Sequence, residues 1–145
     1  MIIHRPFITG GTESSAGISF RGARPLYHQG YQGCVPIKGK IVLLPFPFND
    51  LTAAKLRPAL GLYEGERDVV LAFISPKVYA GAGPAGVMVT ASHAGFLKSG
   101  LKVDSVIRLD KIATVLKDLM VGELGELDDG LQAEVNVKFA KLFRI

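Results

Sequence analysis

Of the 145 residues only one is cysteine and none is tryptophan. A lone Cys34 cannot close a disulfide within the chain, so the sequence reads as a protein of the reducing cytoplasm. Histidine is nearly as scarce: His4 and His28 fall in the N-terminal segment, and His93 stands alone beyond it. With one imidazole and one distant thiol, no cluster has metal-ligand spacing, and neither a metal nor another cofactor is expected. The longest apolar stretch, Ile41 to Phe48, is broken by Pro45 and Pro47. It is far shorter than the ~20 residues of a membrane-spanning helix. The N-terminus also lacks the order of cationic region, apolar core and small-residue cleavage site that marks a secretory signal. These absences point away from a membrane span and from a secreted, disulfide-stapled scaffold.

What is present suits one domain with a real core, since 48% of the residues are hydrophobic and the length is near the modal domain size. The formal net charge is +4, of which residues 1–37 carry +2 through Arg5, Arg21 and Arg24 against Glu13. A mildly basic domain is compatible with a polyanionic partner and is also ordinary for soluble proteins. Residues 1–37 scatter Gly, Ser and Pro among isolated aromatics with no sustained period, and read as an irregular extension. The domain is expected over 38–145. A reading frame that began at Val35 on a GTG codon would make the extension upstream translation, which mass spectrometry of the native N-terminus would decide.

From Lys38 the character changes. "KIVLLPFPF" is strand-like, and its prolines allow it only an edge or a bent position. After the polar "NDLTAAK" come "RPALGLY" and "DVVLAFIS", a second and a third strand, with Val69, Leu71, Phe73 and Ser75 on one face. "VMVT" is a short strand, "ASHAGFLKSGLKVD" a connection without a clear period, and "SVIRLDKIATV" a strand with Ile107 and Leu109 on one face, Arg108 and Asp110 on the other. Leu131, Val135, Phe139 and Leu142 recur at helical spacing, and Asp129 with Gln132 makes an N-cap pair for a closing amphipathic helix. Short strands and one terminal helix predict a mainly β, α+β fold: a small, partly open β-barrel with a C-terminal helix.

Three features carry chemistry or mimic it. "GAGPAG" formally matches a dinucleotide fingerprint, but that motif works only where a strand feeds a helix, and here a strand follows. It reads as a surface loop, and His93 as a loop residue. Lys55 and Arg57 at the start of the second strand, Ser75 at the end of the third, and Arg108 with Asp110 on a later one are different. A phosphoryl group in transit needs fixed positive charge, hydrogen-bond donors and a group to move a proton. These residues supply all three, although Arg108 and Asp110 taken alone read equally as a surface ion pair.

"KGKIVLLPFPFNDLTAAKLRPALGLY", "DVVLAFIS" and "SGLKVDSVIRLDKIATV", in this order and spacing, resemble the PemK/MazF-like family, the growth-inhibiting toxins of type II toxin-antitoxin pairs. The resemblance spans about Lys38 to Ile145. It implies an SH3-like barrel that acts as a homodimer and cuts single-stranded RNA without a metal, by attack of the ribose 2′-hydroxyl to leave a 2′,3′-cyclic phosphate. On this resemblance Arg57 stabilises the phosphorane, Ser75 hydrogen-bonds the scissile phosphate, Asp110 is a candidate base and Arg108 a charge clamp. Lys55 and Lys77 are RNA-backbone contacts. The implied partners are RNA and a cognate antitoxin whose flexible acidic segment competes for the same groove. Lys40 departs from the family's usual acidic residue and Pro76 from its usual small or hydroxyl residue. The loop before Arg57 lacks the His of some members, which leaves the general base open. Base-reading residues are expected on the loops from Leu51 to Lys55 and from Pro76 to Gly86. The alternatives are a non-catalytic barrel that binds RNA or an antitoxin, and a gyrase poison; the latter act through a C-terminal Trp, whereas this chain ends in "KLFRI".

Overall fold

The computed structural model describes residues 36–46, 55–78 and 81–145. Six strands form where β-branched and aromatic residues concentrate, with one exception taken up below: β1 (Lys40–Phe46), β2 (Lys55–Glu64), β3 (Asp68–Ser75), β4 (Gly86–Val89), β5 (Ser105–Leu116) and β6 (Gly122–Glu126). They pair antiparallel in one sheet of order β4-β5-β3-β2-β1-β6. A short helix, α1 (Phe96–Ser99), a 3-10 turn over Lys117–Leu119 and a terminal helix, α2 (Asp129–Leu142), complete the described elements. The sheet bends into the expected partly open barrel because β5 bulges: Ala72 and Ile74 of β3 face Ile112 and Ile107 of β5, so three extra β5 residues are accommodated between them.

The prolines of β1 place it differently from an edge. β1 lies between β2 and β6, but β6 accompanies it only over Lys40–Leu43, while β2 continues alongside to Phe46. Pro45, which has no N–H to donate, therefore stands past the end of β6. A register shift between Ile41 and Val42 bends the strand as well, so the bent position is the one adopted. Pro47 and the polar turn that follows it lie outside the described residues.

Strand alternation sends side chains to two buried clusters, one on each face. Ile41, Leu60, Ala72, Ile74, Val87, Ile107 and Leu109 pack on one face under Leu131 and Val135 of α2. Val42, Leu44, Ala59, Val69, Leu71, Phe73 and Met120 fill the other. The common face of Val69, Leu71 and Phe73 is thus observed. Along α2 burial fades: Leu131 and Val135 are buried, Phe139 partly, and Leu142 is exposed. The far end of the helix leans off the sheet. Its N-cap is Asp128, not Asp129, with the carboxylate accepting the Leu131 N–H at 2.9 Å; Gln132 instead donates to the Leu127 carbonyl.

Two elements were not legible in the pattern. α1 lies within "ASHAGFLKSGLKVD" and ends at Gly100, whose φ of +74° is left-handed. β6, "GELGE", contains two glycines and two glutamates, which disfavour a strand. It forms because β1 offers a ladder and Lys40 bridges Glu123 at 3.1 Å and Glu126 at 3.0 Å. Gly125 is required there, since a Cβ would collide with the carbonyl of Lys98 at the end of α1.

Candidate functional site

Register brings the separated cations and the hydroxyl together. Arg57 of β2 faces Leu44 of β1. On its other side the β2–β3 ladder runs to the Ala59–Phe73 pair and ends; Pro58, without an N–H, comes next. Carried one step further, the same register sets Arg57 opposite Ser75, on the face shared by Ala59 and Phe73. Ser75 in turn faces Val106 of β5, and Arg108, two residues on, alternates with buried Ile107 and Leu109. Arg57, Ser75 and Arg108 therefore share one face at one end of the sheet. Neighbouring strands are about 4.8 Å apart and Arg108 lies two residues along β5 from the position level with Arg57, so the two backbones are about 12 Å apart. One phosphodiester lies within reach of both long side chains.

Each group is held by its surroundings. The Nε atom of Arg57 is fully buried, so the guanidinium leaves the barrel from a packed stem. Ser75 Oγ accepts the backbone N–H of Lys77 at 3.2 Å, which leaves its hydroxyl proton to be donated elsewhere. Arg108 and Asp110 form a fork: Nε donates to Oδ1 at 2.9 Å and Nη2 to Oδ2 at 2.7 Å. Hydrogen bonding from Arg108 holds the Asp110 carboxyl below the usual carboxylate range, and the same bonds push the Arg108 guanidinium up. Both side chains are about two-fifths exposed, so the pair adds at most about 1 kcal/mol to stability. Its chief effect is on geometry, because a doubly bonded guanidinium is fixed in direction.

The remaining sequence candidates separate. Lys55 and Lys77 are exposed at the same end of the sheet, one opening β2 and the other just past β3. His93 lies in the β4–α1 loop, where its Nδ1 accepts the Gly95 N–H at 2.9 Å; it shapes a turn. "GAGPAG" runs into β4, with Gly81 and Gly83 at positive φ. No helix N-terminus follows that could receive a pyrophosphate. Among the described residues no three His, Cys, Asp or Glu side chains gather as metal ligands. The loop from Leu51 to Lys55 lies outside the described residues except for Lys55 itself.

A family model described as the PemK-like, MazF-like toxin of type II toxin-antitoxin systems matches residues 37–143. The chain belongs to this toxin family. Comparison with curated protein sequences gives no match. Solved structures of MazF toxins share the fold. The Mycobacterium tuberculosis toxin MazF-mt6 is 20% identical, with a TM-score of 0.56 over 73% of this chain and 97% of that one. An endoribonuclease in complex with its cognate antitoxin, from a mycobacterial species, is 20% identical, with a TM-score of 0.53 over 75% and 93%. MazF in a MazE–MazF complex from Deinococcus radiodurans is 22% identical, with a TM-score of 0.57 over 74% and 95%.

For a PemK/MazF-like chain, Lys40 in place of the acidic residue now has a structural account. It pairs with two glutamates of β6, and one of these, Glu126, also meets Lys98 of α1 at 3.4 Å. Pro76 stands inside the turn that Ser75 and Lys77 close, where it constrains the backbone. Sequence reasoning missed the cavity beside Asp110 between β5 and α2; the only available signal was the weak apolar ending "KLFRI".

Proposed function

We propose that the chain is an endoribonuclease toxin that cuts single-stranded RNA and is held in check by a cognate antitoxin. The observation that carries this reading is the register that gathers Arg57, Ser75 and the Arg108–Asp110 fork on one face, where the β2–β3 ladder stops. Arg57 and Arg108 neutralise the non-bridging oxygens of the scissile phosphate, and Ser75 donates its hydroxyl proton to one of them. The 2′-hydroxyl attacks phosphorus and loses its proton; the bond to the 5′-oxygen breaks, that oxygen takes a proton from water, and a 2′,3′-cyclic phosphate remains. Asp110 receives the 2′-hydroxyl proton. A carboxylate whose pKa is lowered is a weak base, so the incoming phosphate must first draw Arg108 off one Asp110 oxygen. DNA, without the 2′-hydroxyl, survives.

The reaction needs no metal, and the toxin works as a homodimer in the cytoplasm. Lys55 and Lys77 extend the positive rim along the RNA backbone, and the antitoxin places an acidic segment on the same rim, so inhibitor and RNA compete. Incubation with a long single-stranded RNA in EDTA tests the reading. Cuts that end in cyclic phosphate and vanish with Arg57→Ala are expected. Intact RNA that is nonetheless bound tightly would mean a non-catalytic barrel, and cutting abolished by EDTA would contradict the metal-free chemistry.

A further inference from the structure

A cavity of about 360 Å³ lies between the bend of β5 and the end of α2, lined by Leu109, Asp110, Ile112, Leu142 and Phe143. It is an open hollow with mostly apolar walls. The Phe143 ring is 49% exposed and is braced by Phe139, with ring centroids 4.6 Å apart at 42°. It is an aromatic platform already held in place, with apolar neighbours and one carboxylate. That carboxylate also forms the fork with Arg108. Asp110 therefore belongs both to the lining of this cavity and to the fork that fixes Arg108.

We infer that this cavity is a nucleobase subsite for the RNA, resting on the ribonuclease reading above, and that it prefers a base bearing an exocyclic amine to uracil. Splayed single-stranded bases are recognised by stacking on aromatic rings and by contacts to their edges, as Phe143 and Asp110 provide. An ionised carboxylate only accepts hydrogen bonds. The amines of cytosine, adenine and guanine satisfy it, whereas uracil offers one N–H between two carbonyl oxygens that it repels. α2 ends here as well, and the partial negative charge of its last carbonyls favours the same donors.

The test uses the full chain and short RNAs spanning a mapped cut, made uncleavable by a 2′-deoxy sugar at the scissile position and varied in the bases on either side. Binding by fluorescence anisotropy is expected to be about tenfold tighter, at one flanking position, for amine-bearing bases than for uracil. Phe143→Ala weakens binding about tenfold, and Leu142→Trp, which fills the cavity from an exposed position, removes the base preference. A preference unchanged in both variants overturns the subsite while wild-type cutting keeps the ribonuclease reading standing. Preference unchanged together with a loss of dimer in Phe143→Ala also overturns it, and assigns the cavity to a second copy. Absence of both RNA binding and cutting in the wild-type protein removes the two readings together.

Discussion

Lys55 and Arg57 carry the same charge two residues apart, and packing separates their roles. Lys55 is exposed where β2 begins, whereas Arg57 is half-buried and its Nε is fully buried. An arginine held at its buried Nε has lost part of its freedom before any ligand arrives, so less ordering remains to oppose the binding proposed above. The Arg108–Asp110 fork achieves the same on the surface by two hydrogen bonds. Its pH dependence is open to a direct test. Under the mechanism proposed above Asp110 acts ionised, and its pKa is lowered, chiefly by the hydrogen bond from Arg108. Cleavage is therefore expected to be flat through neutral pH and to fall only on the acid side of the usual carboxylate range, about pH 4. Asp110→Asn keeps one acceptor for Arg108 but no base, so kcat is expected to drop by about a hundredfold. Equal activity in Asp110→Asn would show that Asp110 only orients Arg108.

Among the elements, α2 shows how one residue of offset matters. Asp128 has extended backbone and caps the helix through the Leu131 N–H, while Asp129 is the exposed first helical residue. Asp128→Ala is expected to cost about 1 kcal/mol, lowering Tm by about 4 °C in a scanning melt. Asp129→Ala should move it far less. The reverse ranking would mean that the capping carboxylate belongs to the neighbouring residue. β6 gives the opposite lesson, a strand from residues with poor strand propensity. Its ladder comes from β1 and its charge partner from Lys40, so it exists through tertiary contact.

At the scale of the whole molecule, Lys40, Glu123, Glu126 and Lys98 tie the first strand, the last strand and α1 together. The Glu126 carboxyl lies below its ordinary range, chiefly through its hydrogen bond from Lys40, and the Lys40 ammonium is raised, chiefly through Glu126. A lowered carboxyl stabilises the fold above its unfolded pKa, and this is lost as pH falls through the folded value. A raised ammonium stabilises below its unfolded pKa, and this is lost as pH rises through the folded value. Stability is therefore expected to be level at neutral pH and to decline below about pH 4 and above about pH 10. In urea melts across this range Lys40→Met should flatten both limbs, and limbs of unchanged steepness would place the dependence elsewhere.

Much of this molecule was legible in one dimension because it depends on period and local chemistry. The alternation in "DVVLAFIS" and "SVIRLDKIATV" placed Phe73, Ile107 and Leu109 in the core and Arg108 outside it, and the helical recurrence from Leu131 to Leu142 marked α2. The order of the three blocks pointed to the toxin family. Register was different, because it is a property of strand pairs. That Ala59 pairs with Phe73 and Ser75 with Val106, that β1 is interior beside a glycine-rich β6, and that Asp110 folds back onto Arg108 where β5 bulges were settled only by tertiary structure. The sequence by itself determined which residue types have the chemistry to hold a phosphate; the pairing of distant strands, which ends the β2–β3 ladder beside Pro58, decided which of them share a face.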